Sequence, residues 1–376
     1  MAGLEPVIDC DVHPYPRSAQ ELLSYLPNTF GATIAQTLET WYDKRPGAGV
    51  FTGSGAATGG IRGDAIPVSG PPGSDPELTD RQLFDEAGVD RAILIPLTLN
   101  PMANPMHEAA LCSATNRWLA DTWLSKYNDH GRYRGSITVS LDMPELAVAE
   151  IETYAMQEGF VQVSVPPIAR SQYSAPQYFP VFEAAARHGL PVASHTVRTL
   201  GMALLTPVGF VSYYFESHPA YTLGYYPHVA SLVMGGVFER LPNLHLVCVE
   251  GGVSWIAPFM WRLDHYWRAF GEELPLLRKP PSEYIRNQVH LTTQPLDSPP
   301  NHRDLFPYLE WMGARQMLLF SSDYPHWDFD DPAEALKRLP TDCRSDIAWR
   351  NATRLYQLPE FEVASSKLSP TPPALR

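Results

Sequence analysis

The chain has 376 residues, 44% of them hydrophobic and 18% charged, which is enough apolar material for a large buried core. Its 28 Lys and Arg against 41 Asp and Glu give a formal net charge of −13. The basic residues are scattered apart from Arg132/Arg134 and Arg278/Lys279, so the composition argues against nucleic acid or an anionic membrane as partner.

The first ten residues show neither the basic stretch nor the apolar run of a secretory signal. No apolar run approaches the ~20 residues that span a bilayer. Four isolated cysteines, Cys10, Cys112, Cys248 and Cys343, lack any CxxC spacing. These features predict a cytoplasmic protein with reduced thiols that pack as small hydrophobes.

Along the chain, short β-branched apolar runs alternate with longer amphipathic stretches, the βα pattern of a parallel sheet. Strands are predicted over 7–13, 91–96, 135–139, 161–165, 191–196, 245–250, 289–293 and 317–321. Helices are predicted over 106–127, 144–157, 177–187, 228–240, 254–269, 302–312 and 332–337, and only the connection 14–90 reads as irregular. Eight strands in this arrangement predict an α/β fold, a (β/α)8 TIM barrel forming one domain over 1–360. Residues 361–376, ending LSPTPPALR, read as a poorly ordered tail.

Two insertions depart from a minimal barrel. Residues 45–76, after the first strand, are rich in Gly, Ser and Pro and match neither GxGxxG nor a Walker A pattern. A surface excursion or a partner-contacting arm is the expectation there. Residues 197–227, after the fifth strand, carry Phe210, Tyr213, Tyr214, Phe215, Tyr221, Tyr225 and Tyr226. At the C-terminal rim of a barrel such a loop serves as a lid or pocket wall, with a subunit interface as the alternative. A homodimer is expected from base rates and from these insertions.

Three runs carry chemistry. In Val7-Ile8-Asp9-Cys10-Asp11-Val12-His13, strand alternation points Asp9, Asp11 and His13 the same way. Three buried polar groups on one face are costly without a partner, and a bound cation would offset that cost; a hydrogen-bonded corner is the other reading. His195 ends the apolar fifth strand, and Asp323 follows the eighth, in Ser322-Asp323-Tyr324-Pro325-His326. In a barrel all three sites meet at one mouth. Asp11, His13, His195 and Asp323 then supply two carboxylates and two imidazoles, a donor set suited to one Zn²⁺ or Mn²⁺.

The D-x-D-x-H opening, His195, the run from Gly236 to Leu244 (GVFERLPNL), the SDYPH run and the closing Asn351-Ala352-Thr353-Arg354-Leu355-Tyr356 resemble the amidohydrolase superfamily. The likeness is to its amidohydrolase-2 branch, which includes aminocarboxymuconate-semialdehyde decarboxylase. That resemblance implies a metal site in which the family's strand-one H-x-H pair falls on Asp11 and His13. Its strand-five His falls on His195 and its strand-eight Asp on Asp323. Asp11 replaces the first His, and its harder oxygen tilts the expected metal towards Mn²⁺ without excluding Zn²⁺. Many branch members end strand six with a His; here Glu250 stands in Val249-Glu250-Gly251-Gly252. Glu250 is read as a base, a group that orients a water, a metal ligand or a protonated proton carrier, or else as a structural Glu bonded to the backbone of the adjacent glycines.

Weaker candidates complete the set. His218 and His228 flank the aromatic insertion, and each would supply an imidazole or merely cap. Arg198 would pair with a substrate carboxylate, and His326 would orient Asp323. The leading expectation is a metal-dependent hydrolase of a small amide, lactone or related carboxylic derivative, with Asp323 as general base to a metal-activated water. Non-oxidative decarboxylation of an aromatic or enoic acid is the alternative, set second because the strand-six imidazole is absent. A catalytically inactive barrel used as a binding scaffold is the third reading.

Overall fold

The computed structural model describes residues 5–27, 29–30, 34–35, 60–97, 102–195, 205–206, 209–210 and 218–361. Its main sheet contains β1 (Ile8–Val12), β2 (Arg91–Leu94), β3 (Tyr133–Thr138), β4 (Phe160–Val165), β5 (Val192–His195), β6 (Leu246–Val249), β7 (Val289–Thr292) and β8 (Leu318–Leu319). All eight run parallel and neighbour one another in chain order. Between β8 and β1, the Cys10 amide donates to Phe320 O at 2.9 Å and the His13 amide to Tyr324 O at 2.9 Å. A parallel bridge joins Val12 to Tyr324. These contacts bring the sheet round to a nearly closed (β/α)8 barrel, as the strand count predicts.

The strands are rich in Val, Ile and Leu because they are covered on both faces, by the barrel interior and by the helices outside. Among strand residues only Arg91 and Arg134 reach solvent in part. β8 is shorter than its apolar run. Phe320 N donates to Ile347 O, so the ladder with β7 ends while the chain turns toward β1. None of the described helices is long and apolar enough to cross a membrane.

The helices follow the amphipathic pattern with shifted ends. The stretch 106–127 is an α-helix Pro105–Trp118 that runs on as a π-helix Leu119–Lys126. The stretch 228–240 begins earlier, as Thr222–Met234, and breaks at Gly236 (φ 67°) before a second turn Val237–Arg240. Several helices fall outside the predicted set, among them Ala19–Leu23, Ala314–Met317 and Asn351–Leu355. Pro76–Thr79 opens a helical segment reaching Glu86, with Asp75 capping it through bonds from Glu77 N and Leu78 N. Pro281–Gln288 lies between β6 and β7.

The first insertion is partly described. From residue 60 it lies against the loop after β8: Trp327 N donates to Gly60 O at 3.0 Å and Arg62 N to Pro325 O at 3.1 Å. Ile61 forms an antiparallel bridge with His326. So this end of the segment is tied to the barrel mouth; residues 45–59 lie outside the described residues. Of the second insertion, Leu205–Thr206 pairs antiparallel with Gly209–Phe210, and its last turn enters the helix Thr222–Met234. The tail from residue 362 lies outside the described residues.

One glycine holds the first connection to the site. Gly73 has φ +77°, accepts a bond from Tyr15 N, and would place a Cβ 2.3 Å from His13 O. That neighbour is backbone and cannot swing aside. Gly73→Ala is expected to cost about 2 kcal/mol or more, from the left-handed backbone and the clash together. The check is the midpoint of urea unfolding, with Gly63→Ala, which meets nothing within 4 Å, as the neutral comparison. An unchanged midpoint for Gly73→Ala would refute this packing.

Candidate metal centre

β1 carries Asp11 and His13 to the C-terminal end of the barrel, β5 ends on His195, and the turn after β8 presents Asp323. The four side chains are essentially inaccessible, and their ligand atoms lie within 4.8 Å of one another. His13 Nε2 is 2.9 Å from Asp323 Oδ1 and 3.2 Å from Asp11 Oδ1. His195 Nε2 is 3.4 Å from the same Asp11 oxygen. The His13 and His195 rings meet edge to face at 4.8 Å.

The supporting contacts explain how each group is aimed. His13 Nδ1 donates to Ile95 O at 2.9 Å, which turns Nε2 towards the carboxylates. His326 Nδ1 donates to Asp323 Oδ1 at 2.6 Å. Asp323 sits at φ 61° and Glu250 at φ 58°, left-handed backbone that is rare for such residues and tends to gather at functional sites. Asp9 takes another part. Its carboxylate accepts from Ser322 N, Ser322 Oγ and Asp11 N, so it ties β1 to the turn that bears Asp323. Burial, against those hydrogen bonds, lifts Asp9 up to about 7.

The charges press towards a cation. Burial opposes charge on the imidazoles, yet Asp11 and the bond to Asp323 hold His13 up to about 10. Asp11 likewise holds His195 above the ordinary imidazole value against the same burial. Burial would lift Asp323, but His326 and His13 keep its carboxyl well below the usual carboxylate range. Asp11 Oδ2 and Asp323 Oδ2 are buried without a hydrogen-bond partner. Two acceptors left in that condition, on carboxylates whose Oδ1 atoms face imidazole Nε2 atoms, fit a divalent ion.

Glu250 lies beside the cluster, its Oε2 3.8 Å from His195 Nε2, and is buried. Its side chain therefore faces the mouth of the barrel. The turn behind it is held by Thr222 Oγ1, which donates to Gly251 O at 2.7 Å, and by the Tyr225 hydroxyl, which donates to Val249 O. Gly252, at φ 65°, has Asp297 Oδ2 where its Cβ would stand, 2.5 Å away. Asp297 in turn accepts from Val253 N and Ser254 N.

The remaining candidates are placed apart. His228 stacks on Tyr173 at 3.7 Å; its Nδ1 accepts from Tyr173 N and its Nε2 donates to Pro167 O. Both ring nitrogens are thus committed to backbone groups, which corrects its reading as a substrate or proton-relay residue. His218 begins a 3-10 turn, His218–Ala220, with its own side chain outside what is described, and Arg198 lies outside the described residues. Asp9 and Ser322 were missed as a pair. Their signal is the first Asp of D-x-D-x-H, on the same strand face as the ligands.

A family model described as Amidohydrolase matches residues 8–358. A gamma-resorcylate decarboxylase of Polaromonas sp. (strain JS666 / ATCC BAA-500) is 26% identical over 307 residues, covering 75% of this chain and 88% of that protein. A 2-amino-3-carboxymuconate-6-semialdehyde decarboxylase of Dictyostelium discoideum is 22% identical over 256 residues, 67% of each chain. Among solved structures, a dihydroxybenzoic acid decarboxylase from Polaromonas sp. JS666, with bound manganese and the inhibitor 2-nitroresorcinol, superposes with TM-score 0.64. It is 20% identical, covering 94% of this chain and 98% of that one. These relatives are enzymes, which sets aside the inactive scaffold. They are decarboxylases, which overturns hydrolysis as the leading expectation. The physical fault lay in ranking by Glu250 and in asking Asp323 to be a base: hydrogen bonds from two imidazoles make it a weak one.

Proposed function

We propose that this chain, which belongs to the amidohydrolase family, is a metal-dependent, non-oxidative decarboxylase of a small aromatic acid. The observation that carries the reading is the buried Asp11, His13, His195 and Asp323 group at the barrel mouth, with Glu250 beside it. Manganese is the ion favoured, since two anionic oxygens and two imidazoles make a harder site than His alone. Bound there, the ion would hold the substrate carboxylate with a neighbouring hydroxyl and draw electron density from the ring.

The chain's own residues supply the rest. When the bond to the carboxylate carbon breaks, its electron pair stays on the ring carbon and carbon dioxide leaves. A proton must then reach that carbon. Glu250 is assigned as its donor, because it faces the mouth and stands outside the four-residue group. Asp323, held ionised by His13 and His326, serves as a ligand.

The test is an assay of the manganese-loaded protein against benzoic acids bearing a hydroxyl ortho to the carboxylate, reading carbon dioxide and the phenol formed. Metal-dependent release from at least one is expected, with 2-nitroresorcinol-type phenols inhibiting. A fully loaded protein that releases none from the whole set would refute this substrate class.

A further inference from the structure

The far end of the barrel holds a second polar site. His245 immediately precedes β6, His290 lies at the start of β7 and Gln316 just ahead of β8. With the helix Asn351–Leu355 they line a cleft of about 1000 Å³. The metal group sits at the opposite strand ends, about 15 Å away for strands of four or five residues at ~3.3 Å each.

In a chain of net charge −13 this cleft gathers Arg187, Arg286, Arg315 and Arg354 against one carboxylate of its own lining, Asp346. Two of the arginines are engaged. Arg187 pairs with Glu152, and Arg315 with Asp342 at 2.5 Å and Asp346 at 3.4 Å. The other two are not neutralised. Arg286 donates to Trp311 O at 3.3 Å and Arg354 to Asn351 Oδ1, and among the described residues neither pairs with a carboxylate. Between the elements that carry them, His245 Nδ1 and His290 Nε2 lie 3.2 Å apart. Burial pulls both rings down, His290 to about 3.

We propose that this cleft binds a phosphoryl group, free or carried on a small organic molecule, between Arg286, Arg354 and the His245–His290 pair. Two unneutralised guanidinium forks ask for two negative charges, which one phosphoryl group carries and one carboxylate does not. The volume exceeds that of the bare ion and falls within the range of small-molecule sites. The site is separate from the metal group and does not depend on the reaction proposed there.

The experiment is isothermal titration of the metal-loaded chain, freed of excess metal, with inorganic phosphate and with adenosine monophosphate, against chloride at matched ionic strength. Saturable one-to-one binding of either probe is expected. Phosphate alone would mean the free ion; the nucleotide alone would mean an organic carrier. The double variant Arg286→Gln/Arg354→Gln should bind at least tenfold more weakly while keeping its metal and its melting temperature. Arg134→Gln, which removes one cation at another edge of the barrel, should leave affinity unchanged. Absence of saturable binding by both probes overturns the proposal. So does equal affinity in the double variant, since that binding would belong to the metal group.

Discussion

Asp323→Asn is expected to empty the metal group and lower decarboxylation at least about a thousandfold, the scale of losing several kcal/mol of metal-derived charge stabilisation. The substitution is a clean probe for a backbone reason. Asp323 has φ 61°, a conformation that Asn tolerates as well as Asp, so the turn after β8 should persist. What changes is the charge. Asp323 Oδ1 accepts from both His13 and His326, and Oδ2 is buried without a hydrogen bond. A neutral amide offers one oxygen where the carboxylate offered two, and turns an N–H₂ towards donors or towards the ion. Elemental analysis should find about one manganese per chain in the parent protein and little in the variant. His326→Ala, which leaves the carboxylate in place and removes only its orientation, should cost about 10- to 100-fold in affinity or turnover. An Asp323→Asn protein with full metal and full turnover would refute the assignment of this group.

Most of the barrel is legible from the chain because its strands are buried on two sides. The run Leu246–Val249 is apolar without alternation, and the amphipathic stretches between such strands supply the outer ring. What the periodicity hides is termination. β8 stops at Leu319 because Ile347, far along the chain, accepts the next amide, and no local pattern encodes that partner. The helix from Pro76 has a local signal: Asp75, Pro76 and Glu77 form an N-cap, N1 and first-turn acid, submerged in a segment dominated by Gly and Pro.

The four-residue group is legible in the sequence because three strand ends of one barrel must converge, which gathers Asp11, His13, His195 and Asp323. His228 was harder to read. A histidine in a loop of unknown path looks reactive until both its nitrogens are seen bonded to backbone. The reaction itself was less legible still. Two carboxylates and two imidazoles around a divalent ion serve hydrolysis and decarboxylation alike. The difference lies in which substrate bond breaks, and that is set by pocket shape rather than by residue type at the ligands.

Glu250→Gln isolates the proton that decarboxylation must deliver. Glu250 lies outside the four-residue group, so the variant should keep its manganese, whereas a ligand would lose it. Turnover should fall about 10²- to 10⁴-fold, the usual weight of a positioned general acid, with little change in KM. The amide retains the size and hydrogen-bonding reach of the carboxyl but has no proton to give to a ring carbon. One further readout follows from that. Exchange of the product's ring hydrogen in heavy water, the same proton transfer run backwards, should slow by the same factor as turnover. Loss of manganese in Glu250→Gln would make Glu250 a ligand, and unchanged exchange would assign the proton to another group. Either result leaves the metal assignment standing, because that rests on the buried oxygens of Asp11 and Asp323 and on the two imidazoles that face them.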